Sequence, residues 1–208
     1  ANYMTTSRVS LMSKILLFRT ATEDDCTELA LIRDIAGRRM PSYLWSQKVG
    51  QGQSYFEYGR ETIRTDANYN GYFKNWLVAE SQSKFVGAFF GFSVEDPYPE
   101  IDLDAVPECF RPCIELERVA SGCWLLQAIA ILPQYRGKGL ARQLLDKAGS
   151  VAKDSGTNRI ALQVEEVNEV ALKTYQSNGY VEVDRRPYVY FPGSTDTGHV
   201  VLMWKELG

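Results

Sequence analysis

Two groups of residues in this chain have types and spacing that suit chemistry. The first is Gln134-x-x-Gly137-x-Gly139, between an apolar run that stops at Pro133 and an amphipathic run that begins near Leu140. A strand that passes through a short basic turn into a helix offers unpaired backbone N–H groups at the helix N-terminus, and glycines let an anion come close. Arg136 and Lys138 add positive charge to that turn, so a phosphate is the ligand it suits. Two other phosphate loops are excluded. A Walker A loop needs G-x-x-x-x-G-K-[S/T], but Gly139 follows Gly137-Lys138 and no earlier glycine lies at the right distance. A dinucleotide fingerprint needs G-x-G-x-x-G, and Arg142 stands where its last glycine belongs.

The second group is Asn168, Ala171 or Leu172, and Tyr175, which share one helical face at i, i+3/i+4 and i+7. Each has an ordinary reading as well. Asn168 suits a helix N-cap, and a helical tyrosine suits half-buried packing.

The elements that position these groups are legible as periodicity. Leu140, Leu144, Leu145, Ala148 and Val151 repeat at helical spacing, with Arg142, Gln143, Asp146 and Lys147 outward and Gly156 as a stop. Arg159 to Val164 suits a strand. A helix follows from the Asn168 cap through Tyr175 and ends at Asn178-Gly179, and Tyr180 to Asp184 suits another strand. Strand, phosphate loop, helix, strand, helix and strand make one α/β block of roughly sixty residues.

This block resembles the GNAT N-acetyltransferase superfamily. Its loop is similar to that family's acetyl-CoA pyrophosphate loop, Q/R-x-x-G-x-G/A. Asn168, Ala171, Tyr175, Gly179 and Tyr180 match every position of the family pattern N-x-x-A-x-x-x-Y-x-x-x-G-[F/Y]. The resemblance implies an α/β (α+β) GNAT fold: a mixed central sheet with helices on both faces and a splayed strand before the loop. It implies acetyl-CoA as acyl-donor co-substrate. Gln134 and Arg136, Gly137, Lys138, Gly139, Leu140 and Ala141 would then hold pyrophosphate. Ile129, Ala130 and Ile131 would pair with pantetheine like an extra strand, an N–H there polarising the thioester carbonyl. Asn168 would hold the pantetheine arm, and Tyr175 would protonate the departing thiolate. That last step is uphill by about 1.5 pKa units for an unperturbed phenol and thiol, on the order of 2 kcal/mol. The attacking amine needs a base, because at a lysine-like pKa only about one molecule in a thousand is neutral at pH 7.

The rest of the sequence suits one domain around this block. At 208 residues and 45% hydrophobic the chain can bury a full core. Residues 14–208 are read as that domain, and residues 1–13 as a flexible extension. Ile15 to Thr20 suits a strand, and Thr22-x-x-Asp25 opens a helix through about Ile35 that Gly37 closes. Residues 75–80 and 84–92 read as a hairpin turning at Ser81 to Ser83, and 199–204 as a last strand. No export signal or membrane span is present, so a cytoplasmic location with reduced thiols is expected for Cys26, Cys109, Cys113 and Cys123. Cys109 and Cys113 lack a C-x-x-C partner and His199 is the one histidine, so neither a metal site nor a Ser-His-Asp hydrolase is expected. A net charge of −3 without a basic stripe argues against nucleic acid.

Two segments bear on the acceptor. Residues 95–117 carry eight acidic residues and one basic residue, Arg111. Broken by prolines, this stretch within an insertion at about 93–117 reads as extended rather than helical. It suits an acidic wall for a cationic amine, or simply a solvated loop. Glu115 and Glu117 are candidates for a water-mediated base, Glu117 preferred, and Gln127 points into the acceptor cleft or out of it. Residues 38–73 and 188–191 are rich in aromatics that suit core and, in part, a pocket for a small amine or a peptide end. The expected activity is acetyl transfer to a primary amine by direct attack. The alternative is a non-catalytic acyl-CoA sensor of the same fold, and a different acyl donor is a third reading. Both monomer and homodimer are compatible with the sequence.

Overall fold

In the computed structural model, which describes residues 15–208, the first strand β1 (Leu17–Thr20) leads into helix α1 (Cys26–Ala36). Thr22 and Asp25 form the expected capping box at its start. Gly37 ends α1 without adopting a left-handed conformation; its neighbours Arg38 (φ 49°) and Arg39 (φ 74°) do so instead. Glycine is required at 37 for space, because the Pro41 ring occupies the position a Cβ would take.

Helices α2 (Met40–Ser46) and α3 (Tyr55–Thr65) follow. In the sequence this region stands out only as aromatic. Both helices carry local signals all the same: Pro41 in the first turn of α2, and Ser54 accepting from the Phe56 and Glu57 amides at the start of α3. The hairpin β2 (Trp76–Ser81) and β3 (Lys84–Ser93) turns through Gln82 and Ser83, both with positive φ. The acidic stretch is then corrected: it is not extended throughout. It makes two short 3-10 turns and a helix, α4 (Arg111–Val119), with Pro112 in the first turn where a missing N–H costs nothing. The α/β block completes the chain as β4 (Trp124–Ile131), α5 (Leu140–Asp154), β5 (Arg159–Glu165), α6 (Glu169–Ser177), β6 (Val181–Pro187) and β7 (His199–Glu206). The extension expected over residues 1–13 lies outside the described residues.

The strands form one open mixed sheet in the order β1-β2-β3-β4-β5-β7-β6. Every neighbouring pair is antiparallel except β4 and β5, which are parallel and joined by the α5 crossover. One face packs α5 and α6: Leu140, Leu144, Leu145 and Ala148 meet Phe89, Leu126, Ile160 and Met203. The other face packs α1 and α3 through Leu29, Ile32 and Ile63 against Trp76, Val78 and Phe90, and α4 through Leu116 against Leu125 and Leu202. Helices thus cover both faces, as the resemblance implied. Among the described residues no helix is long and apolar enough to cross a membrane.

The pair β4 and β5 stays together only where Trp124, Leu125 and Leu126 face Ile160, Ala161 and Leu162. On the other edge of β4, Leu126 pairs with Gly91 and Ala128 with Phe90, which leaves Gln127 as an extra residue in a β-bulge. A bulge bends its strand and strengthens the local twist. The strands part at that point, and the central sheet is splayed from Gln127 onward.

Gly91 makes this bulge possible, since a Cβ there would run into the Leu125 carbonyl oxygen and the Trp124 ring. Gly91→Ala should therefore lower stability by about 1–3 kcal/mol. Gly149→Ala, in α5 with its nearest neighbour Leu207 at 3.8 Å, should instead raise it by about 0.5–1 kcal/mol. Urea unfolding of the two variants measures both signs.

Candidate functional site

The loop after β4 starts with a 3-10 turn, Pro133–Tyr135, that carries an exposed Gln134. Gly137 and Gly139 both adopt positive φ, 76° and 71°, and no atom lies within 4 Å of a Cβ built on either. Gly139 is the N-cap of α5 and provides no side-chain cap. The first amides of α5, at Leu140 and Ala141, therefore face an open cradle with the helix dipole behind them. Arg136 and Lys138 are exposed and, among the described residues, make no ion pair; the Lys138 Nζ lies 5.6 Å from the centre of the Tyr135 ring. Uncapped amides, open glycines and unpaired cations together suit a polyanion.

The strand edge leads to this cradle. Leu132 donates its N–H to the Val86 carbonyl, so by alternation Ala130 also turns its backbone toward β3. Ile129 and Ile131 turn theirs the other way, into the wedge where β5 has diverged. Their side chains pack toward α5 and α6, whereas Ala130 packs toward α1.

Helix α6 stands beyond the wedge. Asn168 caps it, its Oδ1 accepting from the Ala171 amide at 3.4 Å. Tyr175 packs with Ala171 and Leu172 against the α5 side of the core, 6.0 Å from the Tyr180 ring. Burial, aided by the charge of Glu165, pushes its phenol up to about 12. The hydroxyl has no hydrogen-bond partner among the described residues.

On the opposite face a cleft open to solvent runs down to the point where β4 and β5 part. Its walls are Met40, Pro41 and Leu44 of α2, Phe110 and α4. Gln127, Gln163, Glu165 and Glu117 bring polar groups to it, and Arg33 of α1 brings a cation. Gln127 points inward; its Oε1 is buried and accepts no hydrogen bond from the described residues. Glu117 accepts from the Tyr98 hydroxyl at 3.1 Å, and burial raises its carboxyl above the ordinary range despite that bond. Glu115 is two residues away, hence about 200° around the helix, and it pairs with Arg186 at 3.0 Å, outside the cleft lining. Burial pushes Glu165 up to about 7, with Asp196 adding to the effect while a backbone hydrogen bond and Arg38 oppose it. Among the described residues no group of three or more His, Cys, Asp or Glu could hold a metal ion.

The model of the acetyltransferase (GNAT) family matches residues 39–180. This chain belongs to that family. N-alpha-acetyltransferase 30 of Schizosaccharomyces pombe is 34% identical over 74 residues, 36% of this chain and 49% of that protein. The chain thus spans about half the length of this curated relative. Among solved structures, an acetyltransferase superposes with a TM-score of 0.62 at 22% identity, covering 92% of this chain and all of that one. The yncA protein of Salmonella typhimurium, described as a putative acetyltransferase with its cofactor acetyl-CoA, gives 0.57 at 18% identity, covering 93% and 94%. At such identities these structures speak for the GNAT fold.

The sequence reading of this GNAT chain missed Glu165 and the residues around it. Arg38 forms a two-pronged ion pair with Asp196, 2.6 and 2.7 Å, across 158 positions of sequence, and its Nε lies 4.0 Å from Glu165. This pair ties the α1–α2 corner to the β6–β7 connection beside the cleft. Asp196 is buried while Arg38 is about a third exposed. Arg38→Ala should cost about 1–3 kcal/mol, below the fully buried range because solvent screens the arginine. The double variant Arg38→Ala/Asp196→Ala should recover part of that loss in a double-mutant cycle of thermal or urea unfolding, because no buried charge is then left alone.

Proposed function

We propose that this protein transfers an acetyl group from acetyl-CoA to a primary amine of a small molecule or of a peptide or protein, by direct attack of the amine on the thioester. The observation that carries this reading is the splay itself. It joins an anion cradle and a free strand edge on one face to a polar-floored cleft on the other, so two substrates can meet between β4 and β5. The residues present fit acetyl-CoA: open glycine positions at 137 and 139, the amides of Leu140 and Ala141 without a side-chain cap, and Arg136 and Lys138, which make no ion pair among the described residues, suit its phosphates. Bound there, it would supply the activated acetyl group. Ile129 and Ile131 would receive its amide arm as a neighbouring strand, with an N–H of the same edge facing the acetyl oxygen. Asn168 has its Oδ1 engaged in capping α6, which leaves its amide N–H groups for the arm.

Tyr175 would serve as the proton donor to the sulfur. A phenol held at about 12 stays protonated at every working pH. It gives up its proton only to a strong base such as a thiolate released into a dry site. Glu117 and Gln127 would receive the acceptor amine in the cleft. The polar floor and the apolar walls of Met40, Pro41 and Leu44 suit an amine with an apolar neighbour, and the fission-yeast relative is by name an N-alpha-acetyltransferase. A pure acyl-CoA sensor has no need of this second cleft. A cytoplasmic setting fits the free cysteines Cys26, Cys109, Cys113 and Cys123.

Two variants test the halves of this reading. Gly137→Glu puts a side chain and a negative charge at a φ of 76°; isothermal calorimetry should register loss of acetyl-CoA binding, and unchanged affinity would remove the loop from the site. Tyr175→Phe should keep acetyl-CoA affinity and slow amine-dependent CoA release at least about tenfold. A rate equal to wild type would rule the phenol out as the acid.

A further inference from the structure

Glu165 ends β5 at the mouth of the splay, and its side chain is 16% exposed. It lines the acceptor cleft, yet its charge also acts on Tyr175. Glu165 thus belongs to the cleft and is near enough to the proposed proton donor for its charge to be felt there. Glu117 has no such link to Tyr175, although both carboxylates line the cleft together with Cys113.

The surroundings leave Glu165 free to accept a proton. Among the described residues no side chain donates a hydrogen bond to its carboxylate. The nearest cation, Arg38, stands 4.0 Å away and is committed to Asp196 through two short bonds. The titratable groups coupled to its charge are Tyr175 of α6, Cys113 of α4, and Tyr188 and Asp196 of the β6–β7 connection. Tyr175, Cys113 and Tyr188 are all raised by burial and stay neutral at pH 7. Arg185 and His199 pair instead with the adjacent Glu166. One of the Glu117 oxygens, by contrast, is already bonded by Tyr98. An ammonium group carries three N–H donors, and the two carboxylates that line the cleft, Glu117 and Glu165, offer acceptors for them.

We infer that Glu165 is the general base of this site, a role that rests on the acetyl-transfer reading above. The acceptor ammonium gives one proton to the Glu165 carboxylate, which later passes it to water. The freed nitrogen forms the C–N bond with the acetyl carbon, and the C–S bond breaks with its electron pair leaving on sulfur. Tyr175 protonates that sulfur, and the second proton lost by the nitrogen restores the phenol. The balance is one proton released to solvent for each amide formed. Glu165 is suited to this because burial holds it at about 7, where a carboxyl is both available and basic at neutral pH.

The test uses the full chain, acetyl-CoA and three amines: spermidine, L-methioninamide and a short peptide with a free N-terminus. Wild-type kcat/KM for CoA release should rise with pH through about 7, as Glu165 loses its proton. In Glu165→Gln that limb should vanish and the neutral-pH rate fall by about 10²–10⁴-fold, narrowing as pH approaches the amine's own pKa. Glu165→Asp should restore part of the rate, while Tm and acetyl-CoA affinity stay at wild-type values in both variants. Glu117→Gln should raise KM and keep the limb. A Glu165→Gln enzyme with the limb intact and a near-wild-type rate overturns the assignment and leaves acetyl transfer standing. A wild type that releases no CoA with any amine counts against acetyl transfer and against the base together. Independently of turnover, ¹³C NMR of labelled glutamate should show one carboxyl titrating near 7 that is missing in Glu165→Gln; titration of Glu165 at an ordinary carboxylate value overturns the assignment.

Discussion

A parallel strand pair that comes apart halfway is the constraint on which the remainder of this structure depends. Backbone N–H and C=O groups inside a protein must find partners, and a strand that leaves its neighbour has a row of them to satisfy. Here the parting is fixed by a bulge: Gln127 is the extra residue, and Gly91 is small enough to let Leu125 and Trp124 pack over it. The free edge at Ile129 and Ile131 begins two residues after that one irregularity, the strand runs on from there to the cradle of Gly137 and Gly139, and Gln127 itself lines the cleft. The sheet is therefore not a neutral scaffold with a site attached to one end.

The two sides of the splay differ in how they are built. The cradle side is contiguous: β4, the loop, α5, β5 and α6 follow one another, and their contacts are local along the chain. The cleft side is assembled from α1, α2, α4 and the β6–β7 connection, and the Arg38–Asp196 pair spans most of the chain to hold two of these parts together. Its carboxylates are consequently tuned by neighbours remote in sequence. Glu165 is lifted mainly by burial and next by Asp196 among the charges around it; Glu117 is lifted by burial and restrained by Tyr98.

That difference explains what could be read in advance. The periodicity of Leu140, Leu144, Leu145 and Ala148, the Thr22–Asp25 capping box and the Asn168 cap are local devices, and each appears where its pattern indicated. The mixed sheet with helices on both faces followed from the family resemblance. Helices α2 and α3 escaped because each is short and its apolar residues, many of them aromatic, are scattered among polar ones, and Gly59 in α3 looks like a break while serving to seat the Trp45 ring. Over residues 95–117 four prolines and eight acids suggest an extended segment, although Pro112 stands in the first turn of α4, where a helix tolerates it. Glu165 carried no signal at all. A glutamate at the end of an alternating strand is ordinary until four separate segments close around it.

The order of strands has a further consequence. β7 comes latest among the elements yet occupies an interior place, between β5 and β6. As the chain emerges from a ribosome, the edge of β5 that pairs with β7 has no partner strand until residues 199–206 become available. A bare β edge invites pairing with other chains. A nascent chain that already holds every residue of the anion cradle thus still exposes one of its central strands. Covering that strand falls to residues that make no part of the cradle.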